Sequence, residues 1–139
     1  MSRVLFSIFS VLYLSFSVLS LSIFAADLHV EKWYQQRVCD SLGGEMEVVT
    51  TSGTRCDCLN GTYAIEFDFG HKWAESIGQS LDYSAHLNRV PGVVLILEGE
   101  EDNKFLDELL YVNKEKNLGI KVWAVFPVGK DVVKFKEVN

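Results

Sequence analysis

Between Thr54 and Gln79 the chain reads TRCDCLNGTYAIEFDFGHKWAESIGQ, a stretch whose side chains could do chemistry together. Asn60-Gly61 is a strong hairpin signal, because a two-residue type I′ turn needs positive φ at both central positions. With that turn, Leu59 pairs with Thr62, Asp57 with Ala64 and Arg55 with Glu66. Side chains alternate along a strand, so Arg55, Asp57, Ala64, Glu66 and Asp68 share one face. Cys56, Cys58, Tyr63, Ile65 and Phe67 share the other, which is apolar and reads as core. The first face gathers three carboxylates, with Asp57 diagonal to Glu66 and within reach of a shared ion. Such a cluster is costly unless something positive sits among the acids, and a hard cation with oxygen ligands meets that need. The plainer reading pairs Asp57 with Arg55 and Glu66 with Lys72 as ordinary ion pairs on a solvated sheet.

These residues need a frame. Gly70-His71 opens a helix running from Lys72 to about Asn88. One of its stripes turns Ala74, Ile77, Gly78, Leu81 and Ala85 towards a sheet. Another carries Lys72, Glu75, Gln79 and Tyr83 and emerges just beyond Glu66 and Asp68. His71 reads as a residue at the helix entrance or facing solvent, and Trp73, Tyr83 and Trp123 as packing. Upstream, Asp27 to Ser41 has the spacing of a helix, ended by Gly43-Gly44, and Glu45 to Thr51 reads as a strand. Downstream, Val90-Pro91-Gly92 breaks the second helix, and the apolar run Val93 to Leu97 reads as a strand buried on both faces. Glu98 to Asn103 is an acidic loop. Asn103 to Asn117 is a third helix with Phe105, Leu106, Leu109 and Leu110 inward. Ile120 to Phe126 is a strand parallel to Val93–Leu97, since a helix joins them. Val132 to Phe135 is either an edge strand or a loose tail. The order is α-β-β-β-α-β-α-β, an α/β sandwich around a mixed sheet, with no internal repeat.

The 139 residues suffice for one domain, after the start is set aside. Residues 1–25 carry a short basic lead and an apolar run, the pattern of a secretory signal peptide cleaved after Ala25 or Ala26. The run is also long enough to span a bilayer as an uncleaved anchor of roughly 20 residues, the one case in which the protein would meet a membrane. Either way residues 26–139 form an exported domain, periplasmic or secreted. The formal net charge of −6 becomes more negative once Arg3 is removed. That excludes a protein coating nucleic acid through a generally basic surface, but not an enzyme with a local acidic metal site. Cys39, Cys56 and Cys58 would tend to be oxidised outside the cytoplasm. Cys56 and Cys58, two apart on one strand, are poorly placed to pair with each other. Cys39 ends the first helix, so a bridge to the hairpin is expected, with Cys39–Cys58 favoured and Cys56 free; three buried thiols are the alternative. No histidine falls at zinc-ligand spacing from the pair.

The element order, with Asp on the second strand and Glu on the third, resembles the restriction-endonuclease-like fold of the PD-(D/E)XK nuclease superfamily. The resemblance runs over about residues 30 to 126. It is carried by Thr54-Arg55-Cys56-Asp57-Cys58, Ala64-Ile65-Glu66-Phe67-Asp68 and the helix start from Lys72 to Leu81. In more detail it is similar to an exported bacterial branch with the pattern RxDC…AIExD…KWxExIGQ. It implies an α-β-β-β-α-β core with a mixed central sheet flanked by helices, here followed by a C-terminal α-β extension. It also implies hydrolysis of a phosphodiester in DNA or RNA, and homodimers are common among nucleases of this fold. Asp57 and Glu66 match the acids that hold Mg²⁺ or Mn²⁺, which carries the water and offsets charge on the phosphate. The superfamily's lysine stands two residues after the glutamate, where this chain has Asp68, a third candidate ligand. Lys72 is the residue that could reach back in its place, and Gln79 matches a glutamine that contacts substrate or the site's acids. Glu47 and Glu75 are weaker candidates to complete the set. The rival expectation is a catalytically inactive domain of the same fold, binding a protein partner in the envelope.

Overall fold

The computed structural model describes residues 29–138, so the signal or anchor segment lies outside the described residues. Strands β1 (Glu45–Val49), β2 (Arg55–Leu59), β3 (Tyr63–Phe69), β4 (Val90–Ile96), β5 (Lys121–Pro127) and β6 (Val133–Val138) form one sheet in that order. Helix α1 (Glu31–Ser41) precedes β1, α2 (Trp73–Leu87) joins β3 to β4, and α3 (Asn103–Glu115) joins β4 to β5. A 3₁₀ turn over Gly70–Lys72 leads into α2. The sheet is mixed: β3, β4 and β5 run parallel, and β1, β2 and β6 join antiparallel. A helix between each parallel pair supplies the crossover that such pairing requires. The C-terminal segment forms a full edge strand, with Val133 to Val138 paired along β5.

The two sheet faces bury different elements. Ile65 and Phe67 of β3, Val94 and Ile96 of β4 and Val125 of β5 pack against Tyr34, Val38 and Cys39 of α1. Val93, Leu95, Val122 and Ala124 pack on the opposite side with Leu106 and Leu109 of α3, joined by Trp73, Ile77 and Leu81 of α2. β4 is therefore apolar at every position from Val93 on, because both of its faces are covered. Gly92 is where β4 runs closest to its neighbours: a Cβ there would lie 3.0 Å from both Ile65 and Trp123.

Three expectations change. α2 does not present Ala74, Gly78 and Ala85 to the sheet; all three are exposed. Its fully buried residues are Ser76, Ser80 and Tyr83. The serines can be inside because each hydroxyl donates to a carbonyl of its own helix, Ser76 to Trp73 at 2.7 Å and Ser80 to Ile77 at 3.0 Å. Satisfied in that way, a small side chain lets a helix lie close on a sheet.

The hairpin register also differs. Cys58 pairs with Ile65 and Leu59 with Ala64, two residues beyond the expected pairing, so the loop is longer than Asn60-Gly61 alone. Asn60 explains it: its Oδ1 accepts the N–H groups of Thr62 and Tyr63 at 2.9 and 2.8 Å, and its own N–H donates to the Tyr63 carbonyl. An Asx turn thus outcompetes the type I′ turn. A shift of two keeps the side-chain parity, and Asp57 and Glu66 still open onto one cleft.

Cys56, by contrast, leaves the face of Cys58. It clusters with Ala64 and Tyr83, and only Cys58 joins the cluster under α1. Beside this break, Glu47 on β1 has φ +62°, so the strand alternation fails locally on both strands.

Candidate functional site

The strands that carry the acids part company at Asp57. The β2–β3 ladder holds at Cys58↔Ile65 and Leu59↔Ala64, and beyond it the Asp57 side chain enters the gap. Its Oδ2 accepts the Phe67 backbone N–H at 2.8 Å, replacing a ladder bond with a carboxylate. The opening is a cleft of about 400 Å³ lined by Asp57, Glu66, Asp68, Lys72, Glu75 and Gln79, together with Glu31, Thr54, Arg55 and Tyr83. Every principal residue expected from the sequence faces it. Each is placed there for a local reason: Asp57 sits on β2, Glu66 and Asp68 alternate on β3, Lys72 ends the 3₁₀ turn, and Glu75 and Gln79 follow along α2.

Glu47 is not brought in. It pairs instead with Arg55 at 3.1 Å and Lys32 at 3.8 Å, tying β1 to β2 and to α1. His71 is exposed and stacks against Phe69. Three lining residues, Thr54, Tyr83 and Glu31, were not read from the sequence as part of the site. Tyr83 lay on the right stripe but looked like packing, and it does both: it is buried, and it lines the cleft beside Glu66. Glu31 gave no signal, since an acid in the first turn of a helix is explained by the helix dipole alone.

The electrostatics are those of negative charge pressed together. Glu66 is only 5 % exposed. Burial and then the repulsion of Asp57 lift its carboxyl to about 10, so it holds a proton at neutral pH. That proton supports a hydrogen bond to Asp57. Burial raises Asp57 as well, to about 6, against the pull of the Phe67 N–H and of Glu66. Asp68 is also raised by burial, and the Lys72 ammonium at 3.4 Å draws it back down. Asp68 Oδ1 further accepts the Phe69 N–H at 3.0 Å. Glu31 is lifted to about 7, first by burial and then by Asp57 and Asp68. Lys72 is stabilised in its charged form chiefly by Asp68. Arg55 is turned towards Glu47, and Lys72 pairs with Asp68.

The donor set is all oxygen, the chemistry of a hard cation. Glu66 Oε2 is buried at the floor of the cleft with no hydrogen-bond donor beside it among the described residues. Asp57 and Glu66 offer two carboxylates of the kind such an ion takes. The set is not closed, however: among the described residues no three His, Cys, Asp or Glu side chains are grouped so as to hold a metal ion. The proton on Glu66 does here the charge-neutralising that a cation would do.

The expected bridge is formed. Cys39 and Cys58 are joined with their Cα atoms 5.8 Å apart, and Cys56 is a buried free thiol. Burial pushes that thiol up to about 11, so it is unreactive at neutral pH. Gly44 runs past the bridge so closely that a Cβ would lie 2.5 Å from Cys58 Sγ and 2.8 Å from Cys39 Sγ. The bridge fastens α1 to the residue next to Asp57. A disulfide is the chemistry of an oxidising compartment, and no described helix is long and apolar enough to cross a membrane. No protein-family model, curated protein or solved structure matches the chain.

Proposed function

We propose that this is an exported metal-dependent phosphodiesterase of the restriction-endonuclease-like type, acting on DNA or RNA in the periplasm or outside the cell. One observation carries the reading: Asp57 and Glu66, from adjacent strands, line one cleft that is too poor in positive charge for its acids, with a buried Glu66 oxygen that no donor meets among the described residues. The resemblance of RCDC, AIEFDF and KWAESIGQ to the PD-(D/E)XK pattern supports it. Asp57 and Glu66 hold the ion, which supplies Lewis-acid activation of water and charge stabilisation at the phosphate. Asp68, two residues after Glu66, does not itself replace the superfamily's lysine; it holds Lys72 at 3.4 Å. Lys72 then presents its ammonium beside the acids and offsets charge growing on the phosphate. The exposed amide of Gln79, two turns along α2, meets substrate at the rim.

The test is cleavage of plasmid DNA and of a structured RNA by the mature protein with Mg²⁺ or Mn²⁺. Cleavage is expected with one of the ions, lost on the order of 100-fold or more in Asp57→Ala, Glu66→Gln and Lys72→Met. No cleavage of either polymer with either ion overturns the reading.

A second reading has an observation of its own. The Asp68–Lys72 pair makes the one nearby ammonium a partner of the acids, and the shared proton neutralises the rest. A cleft settled in that way suits a catalytically silent domain that binds a protein in the envelope. It is favoured if Mn²⁺ leaves the unfolding temperature of the protein unchanged.

A further inference from the structure

α3 buries Leu106 and Leu109 and leaves Asp107, Tyr111 and Lys114 exposed, with Leu110 half-buried beside them. Asp107, Leu110, Tyr111 and Lys114 stand at i, i+3, i+4 and i+7, so they share one side of the helix over two turns. With Asn113 they line a shallow groove of about 400 Å³. Tyr111 is 62 % exposed. The other exposed large apolar side chains among the described residues lie at strand ends, in the turn before β6 or at the cap of α1; Tyr111 alone sits within a helix. An aromatic ring with a hydroxyl at its tip is the side chain that interfaces favour, apolar in body and able to meet water at the rim.

Opposite charges close the two ends of that face. Asp107 and Lys114 are two turns apart, about 10 Å along the axis, too far to pair with each other. Neither has an ion-pair partner among the described residues. The pattern is symmetric about the midpoint between Leu110 and Tyr111. A second α3 laid antiparallel across a two-fold axis at that midpoint sets Asp107 opposite Lys114 of the partner subunit and Leu110 opposite the partner's Tyr111, each contact being made twice. A parallel pair would set acid against acid and lysine against lysine, so charge selects the antiparallel arrangement.

We propose that the Asp107–Lys114 face of α3 is the surface on which two copies of this chain dimerise, antiparallel, about a two-fold axis between Leu110 and Tyr111. The apolar centre excludes water, and the two ion pairs fix direction and register. Two helix faces of this length bury less than the roughly 1,200 Å² of a standard interface, so the dimer is weak, with a dissociation constant on the order of tens of micromolar. The inference needs nothing of the cation site, since no residue of α3 lines the acidic cleft.

Sedimentation equilibrium of the mature protein, at loading concentrations on either side of that value, is the test. The parent should pass from monomer to dimer mass as concentration rises. Asp107→Lys sets lysine against lysine twice, and Lys114→Asp sets acid against acid; each should weaken the dimer about 10-fold or more. The double variant Asp107→Lys/Lys114→Asp restores both pairs with their signs exchanged and should return to within a few-fold of the parent. Tyr111→Ser should weaken the dimer through the lost apolar centre. All three positions are exposed, and circular dichroism checks that the fold is kept. A parent that stays monomeric at every concentration overturns the proposal and leaves the face to a different partner. A dimer indifferent to the single variants places the contact elsewhere on the molecule. A double variant no better than the singles overturns the antiparallel register.

Discussion

Glu66 is the residue in which the chemistry of the cleft is concentrated, and its titration gives a sign that can be checked. Most carboxylates in folded proteins are stabilised when charged, so stability grows as pH rises past 4. Here the carboxyls of Asp57, Glu66 and Glu31 are raised to about 6, 10 and 7. A carboxyl with a raised folded value binds its proton more tightly folded than unfolded. Its contribution is fully present below the unfolded value near 4 and is lost as pH climbs through the folded one. The metal-free protein should therefore be more stable near pH 5 than near pH 8.5. A difference of 1 kcal/mol would shift the unfolding temperature by about 4–8 °C in a domain of this size. Glu66→Gln, which keeps the hydrogen-bonding shape without the charge, should raise the unfolding temperature at pH 8.5 and flatten the profile. Thermal unfolding across that range in chelator-treated protein checks both; a profile that rises with pH would contradict the arrangement of protons described here. At this scale the residue types in the hairpin were informative because a cluster of like charges on one face needs a reason. Glu31 was silent because it had a sufficient local one.

Among elements, the hairpin and α1 decide the site. The alternation of side chains was legible, since it depends only on strand geometry; the register was not, because it turned on which of two turns Asn60 would favour. An Asx turn captures Thr62 and Tyr63 in three hydrogen bonds, and the pairing moves by two. Had it moved by one, Asp57 and Glu66 would lie on opposite faces and there would be no site. The pairing of Cys39 with Cys58 was legible from the position of Cys39 at the end of α1, but the departure of Cys56 from that face was not, because it depends on a break in the β1–β2 pleat near Glu47. Opening the bridge with Cys39→Ser should cost about 3 kcal/mol, given the 19-residue separation. Gly44→Ala should act on the same bridge from outside. Its methyl would occupy the space of both sulfurs, so the variant should show titratable thiols beyond Cys56 or a lowered unfolding temperature. Two normal sulfurs and unchanged stability would mean that the β1 entry can move aside.

The whole molecule is acidic, with a formal net charge of −6, and concentrates part of that charge in one cleft. Such a protein gains from a cation out of proportion to one contact, because the ion relieves repulsion among several groups at once. Mn²⁺ at about 100 times its dissociation constant should stabilise the folded state by about 2.7 kcal/mol, seen as a rise in unfolding temperature that is lost in Asp57→Ala. The effect should be larger at pH 8 than at pH 5.5, since the ion must displace the proton that Glu66 holds. The order of helices and strands as far as β5 was legible in the sequence alone, because apolar periodicity and turn residues act over short spans, while the C-terminal edge strand was left open until its pairing with β5 was seen. Legible too was the choice of Asp57, Glu66, Asp68, Lys72 and Gln79 as neighbours, since strand and helix periods put them on adjoining faces. Only the tertiary structure decided that α1 brings Glu31 to the same cleft, that Glu47 stays outside it, and that Ser76 and Ser80 rather than Ala74 and Gly78 face the sheet. Those outcomes follow from how separate elements dock, and docking is set by the shapes of surfaces far apart in the chain, which no local pattern contains.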